Sequence, residues 1–169
     1  MTPVLREIRK SDREAMYRLD HRCFEPGIAF TRAQIQAFLG LESLEAVAAE
    51  TEGQLIGFAI GYLRRPGLGG VLTLDVDPER RRGGIGRALF RELLARLEAA
   101  GARTVQLEVD VRNSGAIAFY RSFGFRRVGR IPDYYGGGKD AYEMERRAKA
   151  RSGARPISSG SGSVSRPRR

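Results

Sequence analysis

The segment Leu72-Thr73-Leu74-Asp75-Val76-Asp77-Pro78-Glu79-Arg80-Arg81-Arg82-Gly83-Gly84-Ile85-Gly86-Arg87 constrains this chain more than any other. It starts apolar and β-prone, breaks at Asp77-Pro78, and turns through glycines. It then opens a helical pattern in which Ile85, Leu89, Leu93, Leu94 and Leu97 share one face. A strand that turns tightly into a helix aims several backbone N–H groups at one spot, where the helix dipole adds partial positive charge. Glycines admit an anion without a Cβ in the way, and flanking arginines supply charge-assisted hydrogen bonds. The segment predicts an α/β fold with a site for a diphosphate. A Walker loop is excluded, because no Gly-Lys-Ser/Thr ending follows. A dinucleotide fingerprint is excluded too, since Leu89 stands where its third glycine belongs. A glycine turn that merely starts a helix is the competing reading.

Around this segment the pattern alternates between strand and helix. Val4–Ile8 reads as a first strand. Ser11 with Glu14 predicts a capping box ahead of a helix carrying Ala15, Met16, Leu19 and Cys23, and Thr31 with Gln34 predicts a second ahead of Ile35, Phe38 and Leu39. Phe24–Phe30 between them reads as a loop with two exposed aromatics. Residues 46–51, Glu52-Gly53 and 54–63 read as a hairpin. Strands are further expected over 71–76, 104–109, 125–128 and 141–145. A long helix should run from Gly84 to a stop at Gly101, and a short one over 114–121.

The net charge of +10 invites a nucleic-acid reading until it is located. No acidic residue follows Glu145, whereas eight basic ones do, so the preceding chain is close to +2. Residues 1–149 are expected to form one domain and residues 150–169 a disordered tail rich in Arg, Ser and Gly. Such a tail reads as solvated and without function, or else as suited to weak, salt-sensitive contact with RNA or ribosomes. One cysteine, Cys23, and one histidine, His21, exclude a disulfide framework and argue against a structural metal site. No apolar run approaches the ~20 residues of a bilayer span, and the first residues lack a signal-peptide layout. A soluble, cytoplasmic protein without metal is the expectation.

Arg81-x-x-Gly84-x-Gly86 after an apolar strand resembles the acetyl-CoA signature of the GCN5-related N-acetyltransferases (GNAT). Leu107-Glu108-Val109, Asn113, Ala116-Ile117-Ala118-Phe119-Tyr120 and Phe123-Gly124-Phe125 fall in the order and spacing of its RimI-like branch. Tyr134-Tyr135 and Asp140-Ala141-Tyr142-Glu143-Met144 are similar to the same branch, and the correspondence is good over about 71–146. The resemblance implies a mixed, mostly antiparallel central sheet, splayed between two strands and flanked by about four helices. It implies acetyl-CoA as cosubstrate and direct attack by an amine in a ternary complex.

By the same resemblance, Leu74, Asp75 and Val76 would bind the pantetheine arm, with the Val76 N–H polarising the thioester carbonyl. Arg81, Arg82, Gly83, Gly84, Ile85, Gly86 and Arg87 would hold the diphosphate. Asn113 would bond the pantetheine, cap the following helix, or do both. Glu108 matches the general base and Tyr120 the acid that protonates the departing thiolate. Strand alternation sets Glu108 opposite apolar Leu107 and Val109. An exposed strand carboxylate and a packed core aromatic are the plainer readings of these two. Tyr134 and Tyr135 would close over the acceptor, opposite a wall of Phe24, Glu25 and Phe30. Asp110 stands where the branch often has arginine, and Gly136 where proline often follows the tyrosines. Both departures touch the acceptor side.

The acceptor implied is a protein N-terminus, ribosomal by the resemblance. A small amine such as a polyamine, an amino acid or an antibiotic is the alternative. A non-catalytic CoA-binding or RNA-associated adaptor is the alternative from another class.

Overall fold

The computed structural model describes residues 2–148. Seven strands and four α-helices follow one another along the chain. They are β1 (Val4–Glu7), α1 (Arg13–Cys23), α2 (Arg32–Leu39), β2 (Leu44–Thr51), β3 (Gln54–Arg65), β4 (Leu68–Val76), α3 (Ile85–Ala99), β5 (Thr104–Asp110), α4 (Ser114–Ser122), β6 (Arg126–Ile131) and β7 (Ala141–Arg147). The strands form one sheet in the order β1-β2-β3-β4-β5-β7-β6. β4 pairs with β5 in parallel, while β1–β2, β2–β3, β5–β7 and β6–β7 are antiparallel. The expected α/β class with a mostly antiparallel sheet and four helices is what the chain forms.

Residues 2–62 pack with Val71–Arg96 as one compact unit; Leu63–Gly70 packs with residues 97–148 as another. In the first unit, Met16 and Leu19 of α1, Ile35 and Phe38 of α2, and Phe58 and Ile60 of β3 are buried together with Phe30. Burying such a side chain stabilises by about 1.5–3 kcal/mol. The apolar stripe read on α3, Ile85, Leu89, Leu93, Leu94 and Leu97, is buried, and Phe90 is buried beside it. In the second unit, Val105, Leu107 and Val109 of β5 are buried along with Ile117, Phe125 and Met144. The ladder of β4 with β5 pairs Leu68–Gly70 with Thr104–Gln106.

Two local expectations are corrected. The capping box of Ser11 does not form. The chain instead makes a 3-10 turn over Lys10–Asp12, and Asp12 accepts the Arg9 N–H at 2.7 Å and two hydrogen bonds from Arg6 at 2.8 and 2.9 Å. A carboxylate held by a guanidinium is a stronger acceptor than a serine hydroxyl. Burial opposes the charge on Asp12, yet the Arg6 hydrogen bond and the Arg9 N–H hold its carboxyl below the usual range. The second correction is Phe30, expected exposed in its loop and found 2% exposed. Its ring meets Phe38 edge-on at 4.8 Å, and its N–H donates to buried Asp20 at 2.6 Å. Packing that ring and satisfying that carboxylate outweigh loop exposure. The Thr31 capping box forms as read: Thr31 accepts the Gln34 N–H at 3.2 Å and its own N–H donates to Gln34 Oε1 at 2.8 Å. The expected tail, residues 150–169, and the last position of the expected domain lie outside the described residues.

Candidate active site

In the first unit, β4 ends in a side-chain alternation that matters for a ligand. Thr73 and Asp75 are buried and hydrogen-bonded to each other, so Leu74 and Val76 fall on the opposite, half-buried face. Asp77 then accepts the Glu79 N–H at 3.0 Å and starts a short 3-10 turn over Pro78–Arg80. Arg22 of α1 braces this corner, reaching Asp77 at 2.9 and 3.1 Å. Arg81 folds back, its Nε donating to the Val76 carbonyl at 3.2 Å. Arg82 and Gly84 both take left-handed backbone, φ +67° and +81°, before α3 begins at Ile85. A non-glycine residue in that region is uncommon. Left-handed residues in such a turn gather successive N–H groups into an anion-binding concavity, here directly before a helix N-terminus. Arg80 through Gly84 are exposed, as a charged ligand requires.

Cys23 sits beneath this corner, its thiol donating to the same Val76 carbonyl at 3.4 Å. Burial and the negative charge of Asp75 push that thiol up to about 11. It is a packed, protonated group, and His21 stacks on Tyr17 at 4.1 Å. Phe24 and Glu25 follow α1 in a loop closed by the Ile28 and Ala29 N–H groups on the Glu25 carbonyl. A cleft of about 560 Å³ lies beside that loop, lined by Tyr17, His21, Pro26, Phe30, Arg32 and Gln34 among others. Of the expected acceptor residues in this unit, only Phe30 borders the cleft.

In the second unit, Gln106, Glu108 and Asp110 occupy the face of β5 opposite the buried valines and leucine. Glu108 is not an exposed strand carboxylate: its side chain is 6% exposed, and both its oxygens accept from Arg64 Nη2, at 2.9 and 3.0 Å. Sequence reading had no signal for Arg64, the first of two consecutive arginines at the end of β3. Asp110 pairs with Arg112, whose hydrogen bond holds the carboxyl below its ordinary range. Asn113 caps α4 by accepting the Ala116 N–H at 3.0 Å, which uses its carbonyl oxygen and leaves its amide group for other partners. Tyr120 is half-buried on α4. Its ring lies across Phe119 and Phe125, and its carbonyl accepts the Phe123 and Phe125 N–H groups.

Tyr134 and Tyr135 stand at right angles, ring centres 4.8 Å apart, in a closed turn. Asp140 holds that turn by accepting the Asp133 N–H at 2.9 Å and a hydrogen bond from Arg130 at 2.8 Å. The Gly138 N–H donates to Asp133 at 2.6 Å. The Asp133 N–H and Arg130 keep the Asp140 carboxyl below its usual range. Glu108, Asn113, Tyr120, Tyr134 and Tyr135 thus belong to one unit. Leu74–Val76, Arg81–Arg87, Phe24, Glu25 and Phe30 belong to the other. Among the described residues, no three His, Cys, Asp or Glu side chains converge to hold a metal ion, and no helix is long and apolar enough to cross a membrane.

A mostly antiparallel sheet whose fourth strand runs through an N–H nest into a long helix defines the class. The chain belongs to the acetyltransferase (GNAT) family, whose model matches residues 13–125. It is similar to the N-alpha-acetyltransferase RimI of Mycobacterium tuberculosis, 46% identical over 104 residues that cover 59% of this chain and 64% of that protein. Among solved structures it resembles the ribosomal-protein-S18-alanine N-acetyltransferase from Escherichia coli, with TM-score 0.80 and 26% identity over 91% of this chain and 99% of that one. It also resembles Arabidopsis thaliana NAA60 in complex with acetyl-CoA, with TM-score 0.76 and 25% identity over 86% and 98% of the two chains. The chain spans between 29% and 64% of the length of the first curated relatives it matches.

Proposed function

We propose that this acetyltransferase moves an acetyl group from acetyl-CoA to the N-terminal α-amine of a protein, with an alanine-led ribosomal protein as the favoured acceptor. The observation that carries the cofactor half is the nest formed by left-handed Arg82 and Gly84 at the start of α3. Diphosphate oxygens suit those N–H groups and the exposed arginines around them. Leu74 and Val76, on the half-buried face of β4, are the residues for the pantetheine arm. Support for the acceptor half is the likeness to the S18-alanine enzyme across nearly all of that chain.

In the reaction, the neutral amine attacks the thioester carbonyl, a C–N bond forms, the C–S bond breaks and the thiolate leaves. A protein α-amine has an ordinary pKa near ~8, so most of it is protonated at neutral pH. Glu108 removes that proton through a water: each of its oxygens accepts one hydrogen bond from Arg64 and keeps lone-pair capacity for another. Tyr120 returns a proton from its phenol O–H to the thiolate, and the surplus proton of the new amide nitrogen passes to the phenolate or to solvent. A Val76 N–H aimed at the carbonyl oxygen would stabilise the charge that develops there. Tyr134, Tyr135, Phe24 and Glu25 are the residues for acceptor binding, with Glu25 attracting a cationic amine.

The test is an acetylation assay with labelled acetyl-CoA on an array of peptides differing in their first residues, beside N-terminally blocked peptides, polyamines and aminoglycosides. Label on the α-amine of Ala-led peptides is expected. Label confined to the small amines overturns the acceptor assignment, and label on no amine overturns the activity.

A further inference from the structure

Arg64 reaches Glu108 across an intervening strand, and a glycine makes the crossing. Arg64 lies on β3, Gly70 on β4 and Glu108 on β5, consecutive strands of the sheet. A Cβ placed on Gly70 would stand 2.3 Å from Arg64 Nε and 3.1 Å from its Cδ and Cγ. The Arg64 side chain therefore passes over residue 70, and a Cβ there would force it to shift. At its far end, Nη2 spans both oxygens of Glu108, while Nη1 donates to Gln106 Oε1 at 3.2 Å. Gln106 is fixed in turn, its amide donating to Glu145 on β7 at 3.1 Å. Register sets Glu143 directly opposite Glu108 and Glu145 opposite Gln106, so three carboxylates share one face. Like charges directly opposite on a sheet repel; Arg126 of β6 stands opposite Glu145, and Arg64 is the cation that bonds Glu108.

We propose that Arg64 is the positioning residue of the reaction, holding the Glu108 carboxylate in one rotamer, with Gly70 as the gap that lets it do so. The inference rests on the reading of Glu108 as the general base. Fold stability alone explains the arrangement poorly. The side chains of the pair are 11% and 6% exposed, and removing two charges from water offsets much of their attraction. Arg64 Nε is buried without a hydrogen-bond partner among the described residues, a further cost. Lysine would not substitute fully, because one ammonium cannot reproduce the planar fork that serves Glu108 and Gln106 together. Holding a carboxylate in one place raises the fraction of encounters in which a water or ammonium proton meets it correctly.

The experiment compares Arg64→Met, Arg64→Lys, Gly70→Ala and the Arg64→Met/Gly70→Ala double variant with the wild type. Measured are kcat, the KM for acetyl-CoA and for an Ala-led peptide, thermal melting and acetyl-CoA affinity. Arg64→Met should lower kcat about 10- to 100-fold with the acetyl-CoA KM unchanged, and Arg64→Lys should recover part of the loss. Gly70→Ala should reproduce the defect with every charge still present. The double variant should be no slower than Arg64→Met alone, because the gap has no use once the guanidinium is gone. Should Arg64→Met fail to fold, the Arg64→Lys and Gly70→Ala kcat values decide. Wild-type kcat in Arg64→Met or Gly70→Ala, with Glu108→Gln impaired, overturns the inference alone. Independent, multiplying losses in the double variant also overturn it, since they would make Gly70 a packing glycine. A wild type that transfers acetyl to no amine overturns the reading of Glu108 and this inference with it.

Discussion

Gly57 and Gly83 separate what packing does for the proposed cofactor loop from what that loop would do for a ligand. A Cβ added at Gly57 of β3 would stand 2.9 Å from the Asp75 carbonyl of β4, 2.9 Å from Leu89 Cδ1 and 3.5 Å from Ile85 Cγ2 of α3. Leu89 is fully buried, and the carbonyl belongs to a strand, so neither can step aside cheaply. Overpacking of this kind costs about 1–3 kcal/mol. For a chain of this size, each kcal/mol lowers the melting temperature by about 2–4 °C, so Gly57→Ala should melt roughly 2–12 °C below wild type. Ile85 opens α3 and Asp75 precedes Val76, so acetyl-CoA affinity should fall as well. At Gly83 the nearest atom to an added Cβ is the Arg80 carbonyl at 3.6 Å. Gly83→Ala should therefore melt within about 2 °C of wild type and lose affinity only, because its methyl enters the space a phosphate would approach. Thermal melting with and without acetyl-CoA, together with titration calorimetry, reads both effects. A wild-type melting temperature in Gly57→Ala refutes the packing argument. Wild-type affinity in Gly83→Ala refutes the assignment of the loop to the diphosphate.

Glu108→Gln should lower kcat by about 10²–10⁴ with acetyl-CoA affinity kept, and Tyr120→Phe should also slow turnover; normal turnover in the double variant removes both assignments. Cys23, with its thiol pushed up to about 11, should alkylate slowly at pH 8, gain about tenfold per pH unit and level off only near pH 11; rapid labelling at pH 7.5 contradicts its packing. Thr31→Ala should cost ~1 kcal/mol through loss of the α2 cap, read by denaturant unfolding, and no loss would mean the cap is replaced by solvent. Asp140 has a lowered carboxyl, so its hold on the tyrosine turn is complete above the ordinary value near ~3.9 and fades as pH falls through the lower folded value. Amide exchange at Asp133 should stay slow at pH 5 in the wild type and speed up in Asp140→Ala; equal rates refute that role.

Much of the fold was legible because it rests on local rules. The hairpin over Glu52-Gly53, the Thr31 box, the α3 stripe and the cap at Asn113 each need only residues a few positions apart. Ser11 failed where a long-range partner entered: Arg6 made Asp12 the better acceptor. Phe30 failed similarly, because Asp20 ten residues earlier and Phe38 eight residues later draw it inward. The glycine-rich turn into α3 was legible too, although its left-handed Arg82 was not.

The sequence alone determined the order of strands and helices, the glycine-rich entry to α3, and the alternation that sets Glu108 opposite Leu107 and Val109. Those follow from periodicity and from backbone groups that must be satisfied nearby. Only the tertiary structure decided what meets Glu108. Arg64 is separated from it along the chain by a whole strand and a helix, and strand pairing alone brings the two together over Gly70. No local pattern encodes a contact of that separation, so the partner that holds the candidate base in place became visible only once the sheet was assembled.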